Sequence, residues 1–294
     1  MRTGGGPSEA GTYRSTVARD APWSPWAGAM TCLANRTALV RRLLGGLLVA
    51  SLLTGCHYAA YFWRDTREPM LALEVRADPG VRQRCLLVMM PGMLNLPDEY
   101  VRRGFVEDAL AASRRCDILA VDAHFGYYRT RSLARRIGED ILFIAEQRGY
   151  EDIWLLGSSM GGMGALLVAQ AYPDRVDGVV LFAPYFGDTR LLRSIADAGG
   201  LATWEGSGSS GPEAALWVWL RGYAIHPDRM PSLYLGVGDE DGTRLGFDLL
   251  AAHLPAAQYG LAPGGHAWAT WRVLWRRLLA SPPWDPHGTP RIDR

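Results

Sequence analysis

Among the side chains that can form a covalent bond with a substrate, one serine is set apart by its neighbours. Ser159 stands in Gly157-Ser158-Ser159-Met160-Gly161, a G-x-S-x-G pattern. The four apolar residues Ile153-Trp154-Leu155-Leu156 ahead of it read as a buried strand. Ala165 to Ala171 behind it is a strong helix former. A strand, a sharp turn and a helix in that order are the setting of a nucleophile elbow. Serine at the tip of such a turn takes up strained backbone angles, and a Cβ on either flanking glycine would collide with the adjoining strand or helix. The hydroxyl then projects above the sheet edge, over the positive end of the helix dipole.

A serine hydroxyl is a poor nucleophile at neutral pH and needs a base within hydrogen-bond reach. Of six histidines, His266 is the candidate. It follows a strand expected over Gln258 to Leu261, sits in a Pro263-Gly264-Gly265 turn and precedes the last helix. The base in turn needs a carboxylate to fix its tautomer and stabilise the imidazolium. Asp239, Glu240 and Asp241, past a strand at Leu233 to Leu235, are available for that. His124, after the strand ending at Asp122, is a second histidine that could line the pocket, but Asp122-Ala123-His124 is not by itself a metal site.

From about residue 70 to 280 the chain resembles the α/β-hydrolase superfamily. The likeness is clearest at the elbow and at Gly264-Gly265-His266-Ala267-Trp268-Ala269-Thr270-Trp271, an ending similar to that of esterases in the superfamily. The resemblance implies the chain order serine, acid, histidine, which His266 fits. It also implies a Gly-x-x-Asp turn for the acid, and two registers satisfy it: Gly238 to Asp241 and Gly236 to Asp239. Asp241 is preferred, since Thr243 onwards reads as the next helix, which leaves Asp239 and Glu240 as solvated loop residues. The oxyanion hole implied by the resemblance takes one backbone N–H from Met160 and a second from Met93, after Pro91-Gly92. No His-Gly-Gly-Gly loop is present, which separates the chain from lipases and esterases that carry one. The implied activity is hydrolysis of a small-molecule carboxylic ester through an acyl-enzyme on Ser159, with no metal or cofactor. The rival is a non-catalytic, hydrolase-like envelope lipoprotein with a binding or scaffold role.

The elements that must hold these residues alternate. Strands are expected at Leu71 to Val75, up to Met90, at Ile118 to Val121, at Ile153 to Leu156, at Val179 to Phe182 and at the two later positions already named. Helices are expected over roughly Val101 to Ser113, Arg131 to Arg148, Thr243 to His253 and Ala267 to Leu279. That is an α/β chain, a mostly parallel sheet with helices on both faces and right-handed crossovers. Residues 184–230 interrupt the alternation with Gly206-Ser207-Gly208-Ser209-Ser210-Gly211-Pro212 and the apolar run Ala214 to Leu220. They fit a small cap over the site, or a core helix after a loose loop. Phe125, Tyr127, Tyr128, Tyr185 and Phe186 follow strand ends and suit either an aromatic acyl pocket or the core.

Composition excludes several function classes. With 48 % apolar and 21 % charged residues among 294 the chain can bury a sizeable core. The formal net charge of +1 offers nothing to attract nucleic acid. All 31 basic residues are arginine, so Schiff-base lysines and Walker-type phosphate loops are out.

Upstream, residues 1 to about 36 have no sustained period and read as disordered or as sequence wrongly joined ahead of Met30. Arg41-Arg42, an apolar run Leu43 to Leu53 and Leu53-Thr54-Gly55-Cys56 resemble a bacterial lipoprotein signal peptide over residues 1–55, with Cys56 acylated. Leu43 to Trp63 is also long enough for a plain transmembrane anchor. Either reading puts the domain outside the cytoplasm, in a bacterial cell envelope, with residues 56–69 a tether, 70–280 the hydrolase domain and 281–294 a mobile tail. In that compartment Cys85 and Cys116, each just ahead of a strand, are a disulfide or two buried thiols. The hydrolase resemblance makes those strands parallel neighbours, which suits a bond.

Overall fold

The computed structural model describes residues 61–112, 116–206 and 208–280. The leader 1–55, Cys56 and the tail 281–294 lie outside these residues.

Seven strands form one sheet: β1 (Ala72–Val75), β2 (Cys85–Met90), β3 (Asp117–Val121), β4 (Asp152–Ser158), β5 (Gly178–Phe182), β6 (Ser232–Gly238) and β7 (Tyr259–Ala262). Their order is β1-β3-β2-β4-β5-β6-β7. Only the β1–β3 pair is antiparallel. Strands β2 and β5 are buried along their whole length, β4 and β6 nearly so, as expected of a parallel sheet covered on both faces. β1 is largely exposed, the outer strand that its weak alternation suggests.

The helices in chain order are α1 (Glu99–Arg102), α2 (Phe105–Ala111), α3 (Phe125–Arg129), α4 (Leu133–Ile137), α5 (Phe143–Gln147), α6 (Met160–Ala171), α7 (Thr189–Asp197), α8 (Pro212–Leu220), α9 (Gly222–Ile225), α10 (Arg244–Ala251) and α11 (Trp268–Leu279). A π turn over Gly138–Leu142 joins α4 to α5 within the single helix expected there. The helix expected over 101–113 is instead two. Gly104, at φ 77°, breaks it, and a Cβ at that position would collide with the Arg272 guanidinium. Through this gap Arg272 reaches Asp108 with hydrogen bonds of 2.6 and 3.0 Å, clasping α11 to α2.

In parallel pairing Leu86 stands opposite Asp117, so Cys85 and Cys116 face one another one step earlier. Their Cα atoms are 4.6 Å apart and their sulfurs are bonded. The bond lies at the amino ends of β2 and β3.

Residues 61–69 are not a free tether. Arg64 donates to both oxygens of Asp122 at 2.9 and 2.6 Å. Tyr127 Oη accepts from Arg67 N at 3.0 Å and donates to Arg67 O at 3.1 Å. Gly126 is required for this docking, because a Cβ there would strike the Arg64 carbonyl. For residues 184–230 the sequence admits a cap or a core helix. Trp217 on α8 is fully buried and its indole N–H donates to Phe186 O at 2.7 Å. Gln170 on α6 reaches Ala215 O at 3.4 Å. Leu216 and Leu220 are buried beside it, so α8 is packed into the body next to the helix that follows Ser159.

Candidate active site

The strand order turns round between β2 and β4. The chain leaves β2 towards β3 on one side and leaves β4 towards β5 on the other, although Met90 and Gly157 at their ends are paired neighbours. Diverging connections open a crevice at the carboxyl ends of such strands, where ligands bind in α/β sheets. Gly92 and Ser159 lie in the two connections that diverge.

Ser159 has φ 53° and ψ −121°, a left-handed conformation costly for a residue with a side chain. It is over-determined by its backbone bonds. Ser159 N donates to Phe182 O at 2.9 Å, and its carbonyl accepts from Gly162 N and Tyr185 N, each at 3.0 Å. The flanking glycines are needed for space: a Cβ on Gly157 would collide with the Gly161 carbonyl, and one on Gly161 with the Met90 carbonyl. Tyr100, fully buried, donates to Met90 O at 2.8 Å and lies 3.4 Å from Ser158 Oγ, fastening β2 to the turn. Helix α6 starts at Met160 and brings its amino end to the serine.

The loop after β2 lies against Ser159. A Cβ built on Gly92 would be 3.1 Å from Ser158 O and 3.3 Å from the Ser159 Cβ. Asn95 N donates to Gly92 O at 3.2 Å and Asn95 Nδ2 to Met93 O at 2.9 Å, so the turn that presents Met93 is stapled by its own asparagine. Met160, as the first residue of α6, has an amide that no intrahelical carbonyl can take. Tyr128 Oη donates to Met160 O at 3.0 Å.

Beyond the carboxyl ends of β6 and β7, Asp241 and His266 come together. His266 Nδ1 is 2.9 and 3.1 Å from the two Asp241 oxygens. Asp241 is buried, and its Oδ1 also accepts from Thr243 N and Thr243 Oγ1, each at 2.9 Å. Burial alone would raise this carboxyl, but the bonds from His266 and Thr243 outweigh it and hold Asp241 below the usual carboxylate range. The His266 ring also meets Trp271 edge-to-face, with centroids 4.9 Å apart. Asp239 is exposed and has another task. Its Oδ1 accepts from Gly264 N at 2.9 Å, while Glu240 N donates to Gly264 O at 3.1 Å. These bonds lace the 239–241 turn to the turn that carries His266, and Gly264 at φ 112° makes the close approach feasible. Asp239 is therefore not simply a solvated loop carboxylate.

Among the described residues the Ser159 hydroxyl has no hydrogen bond to His266. Catalytic bonds of this kind are often long before substrate binds and tighten in the complex. His124 is buried and bonded within its own turn. Its Nδ1 accepts from Gly126 N at 3.1 Å, capping α3, and burial lowers its pKa, which keeps the ring neutral for that task. Of the five aromatics, Tyr127 and Phe186 are core, and Tyr185 is the exposed one beside Ser159. Asn95, Tyr100 and Trp271 are not singled out by the sequence. Thr243 has a local signal, an Asp-x-Thr step ahead of a helix, the pattern of a side chain that accepts from the backbone two residues on. Among the described residues no three His, Cys, Asp or Glu side chains group as a metal site.

The family model for the alpha/beta hydrolase fold matches residues 86–206, from β2 through the elbow to the loop after α7. The fold is an α/β-hydrolase fold. Asp241 and His266 lie beyond the matched stretch. Solved structures similar to this chain include the S-formylglutathione hydrolase of Staphylococcus aureus, 16 % identical, covering 74 % of this chain and 97 % of that one, with a TM-score of 0.49. Est1E from Butyrivibrio proteoclasticus is 15 % identical over 71 % of this chain and 91 % of that one, with a TM-score of 0.49. A monoacylglycerol lipase of Paleococcus ferrophilus is 17 % identical over 72 % and 98 %, with a TM-score of 0.44. Curated proteins give no match.

Proposed function

We propose that the protein is a membrane-tethered, extracytoplasmic serine hydrolase that cleaves carboxylic esters through an acyl-enzyme on Ser159. One observation carries the reading: a buried, ionised Asp241 bonded to His266 Nδ1, at the same carboxyl end of the sheet as a serine held at φ 53°. A carboxylate on Nδ1 selects the tautomer with Nδ1 protonated and Nε2 free to accept a proton. As Ser159 Oγ bonds to the ester carbonyl carbon, its proton passes to His266 Nε2. The carbonyl electron pair moves onto oxygen, where the N–H groups of Met160 and Met93 stabilise it. When the intermediate collapses, His266 gives that proton to the departing alcohol, leaving the acyl group on Ser159. Water repeats the sequence and releases the acid.

The envelope location rests on the leader sequence, with Cys56 as the acylated residue. Metabolic labelling with a fatty-acid analogue should mark the wild-type chain and not Cys56→Ala; label that persists in the variant removes the lipid reading. For the chemistry, a fluorophosphonate probe should label the purified protein, and Ser159→Ala should lose both label and ester turnover with the fold intact. Loss of a triad member typically costs on the order of 10⁴ to 10⁶ in kcat. Undiminished aryl-ester hydrolysis by Ser159→Ala would refute the mechanism.

A further inference from the structure

The docked segment 61–69 fixes where the tether joins the body. Arg64 is bound to Asp122, the residue immediately after β3, at the carboxyl end of the sheet. Phe62 packs edge-on against Phe125 at 5.2 Å. Tyr61 is buried, with its hydroxyl beside the backbone amides of Leu94 and Phe125, though without a hydrogen bond of normal geometry. Leu94 belongs to the loop whose Gly92 lies against Ser159. The chain therefore reaches the folded body at the edge of the catalytic crevice and not at the opposite end of the sheet.

That edge is also apolar and exposed. Met93, Leu94 and Leu96 on the loop after β2 are each more than two-fifths exposed, and Tyr185, whose N–H is bonded to the Ser159 carbonyl, is 40 % exposed. Trp63, in the docked segment, is 73 % exposed and lies under the Arg129 guanidinium at 5.1 Å. Large apolar side chains exposed together at this end of the sheet are unusual to leave in water. A tryptophan beside an arginine suits the boundary between headgroups and acyl chains.

We propose that this rim is the face laid against the anchoring membrane, and that the ester taken by Ser159 is an acyl lipid of that membrane. The inference rests on the serine-hydrolase and membrane-tether readings above. The chain itself points to a bilayer as occupant. Cys56 is five residues from Tyr61, a span of at most about 18 Å fully extended. The apolar run Leu43 to Trp63 ends inside the rim, so a transmembrane anchor gives the same geometry as a lipid. With so short a tether at the mouth of the crevice, the surface nearest the bilayer is the surface that admits substrate.

The test uses the full chain reconstituted into phosphatidylethanolamine–phosphatidylglycerol vesicles. With brominated acyl chains in the vesicles, the emission that distinguishes wild type from Trp63→Phe should be quenched by more than half. Retention of that emission overturns the docking. Turnover is then compared on dioleoylglycerol carried in the vesicles and on dissolved p-nitrophenyl acetate. The pair Trp63→Glu and Leu96→Glu, combined, should slow cleavage of the vesicle lipid tenfold or more and change the soluble ester less than twofold. An equal fall on both substrates, or no fall on either, refutes the proposal. Wild-type activity on the soluble ester without any on the vesicle lipid refutes the lipid substrate and leaves the hydrolase reading standing. No activity on either, with Trp63 quenched, strikes the hydrolase reading itself.

Discussion

Replacing Asp241 by asparagine is the substitution whose effect the geometry defines most closely. Asp241 Oδ1 accepts from the backbone N–H of Thr243 and from Thr243 Oγ1, while Oδ2 is the oxygen nearest His266 Nδ1, at 2.9 Å. A backbone N–H cannot reverse its polarity, so the amide oxygen of an asparagine must take the Oδ1 place. Its NH₂ is then aimed at Nδ1, which can meet it only as an acceptor. The ring proton moves to Nε2, the atom that receives the proton of Ser159 in the proposed mechanism. The change keeps the shape, removes the charge that stabilises imidazolium and imposes the wrong tautomer. In serine proteases the same change costs about 10⁴ in kcat, roughly 5.5 kcal/mol of barrier. We expect a loss on that order for Asp241→Asn. Asp239→Asn should cost about tenfold or less, because an amide oxygen still accepts from Gly264 N and the residue is exposed. The assay is kcat/KM on one aryl ester for both purified variants beside Ser159→Ala, with circular dichroism to check folding. The reverse ranking would refute the tautomer argument and move the acid to Asp239. Two mild effects would turn attention to Asp188, whose carboxylate caps α7 through Leu191 N at 2.9 Å.

Three further expectations follow from packing. Reduction of Cys85–Cys116, which are 31 residues apart in the chain, should lower stability by roughly 3.5–4 kcal/mol on the loop-entropy relation, read as a shift in denaturant midpoint with and without reductant. Trp217→Ala should cost about 3–5 kcal/mol and lower the single melting transition of the whole body; a hinged cap would alter turnover and leave that transition where it is. Burial pushes the Asp108 carboxyl up, and the bonds from Arg272 and Arg276 bring it below its usual value. Its contribution is thus complete above the unfolded carboxylate value near 4 and lost as pH falls through the lower folded one. The gap in melting temperature between wild type and Asp108→Asn should accordingly close as pH falls below about 4, and a gap that widens on acidification contradicts the assignment.

What is legible in the sequence is what neighbouring residues determine. The elbow is readable because strand, glycines, serine and helix are contiguous, and the alternation of elements is readable from period alone. The Asp241–His266 bond joins residues 25 apart, and sequence narrows its acid only through where the next helix starts. The break at Gly104 is invisible locally, since it serves Arg272, 168 positions further on. The docking of 61–69 is equally remote from any local signal: Arg64 finds Asp122 at a separation of 58, across a glycine that looks like an ordinary loop residue. The apolar run at 214–220 carries no sign of whether it faces substrate or core, because Trp217 acquires its meaning from the Phe186 carbonyl.

The Arg64–Asp122 pair also bears on how a soluble form of the protein should be cut. Sequence alone would start such a form at residue 70, discarding the tether. That cut would strip the guanidinium from a carboxylate whose side chain is 7 % exposed, and would leave Tyr127 Oη without Arg67 as partner. The pair is part-buried, with the Arg64 side chain 33 % exposed, so its loss costs less than the about 3–5 kcal/mol of a fully buried pair but still leaves a buried carboxylate without its cation. Residues 61–69 thus belong to the folding unit as much as to the leash, and a shortened chain that omits them would fail for want of its own edge rather than for want of a membrane.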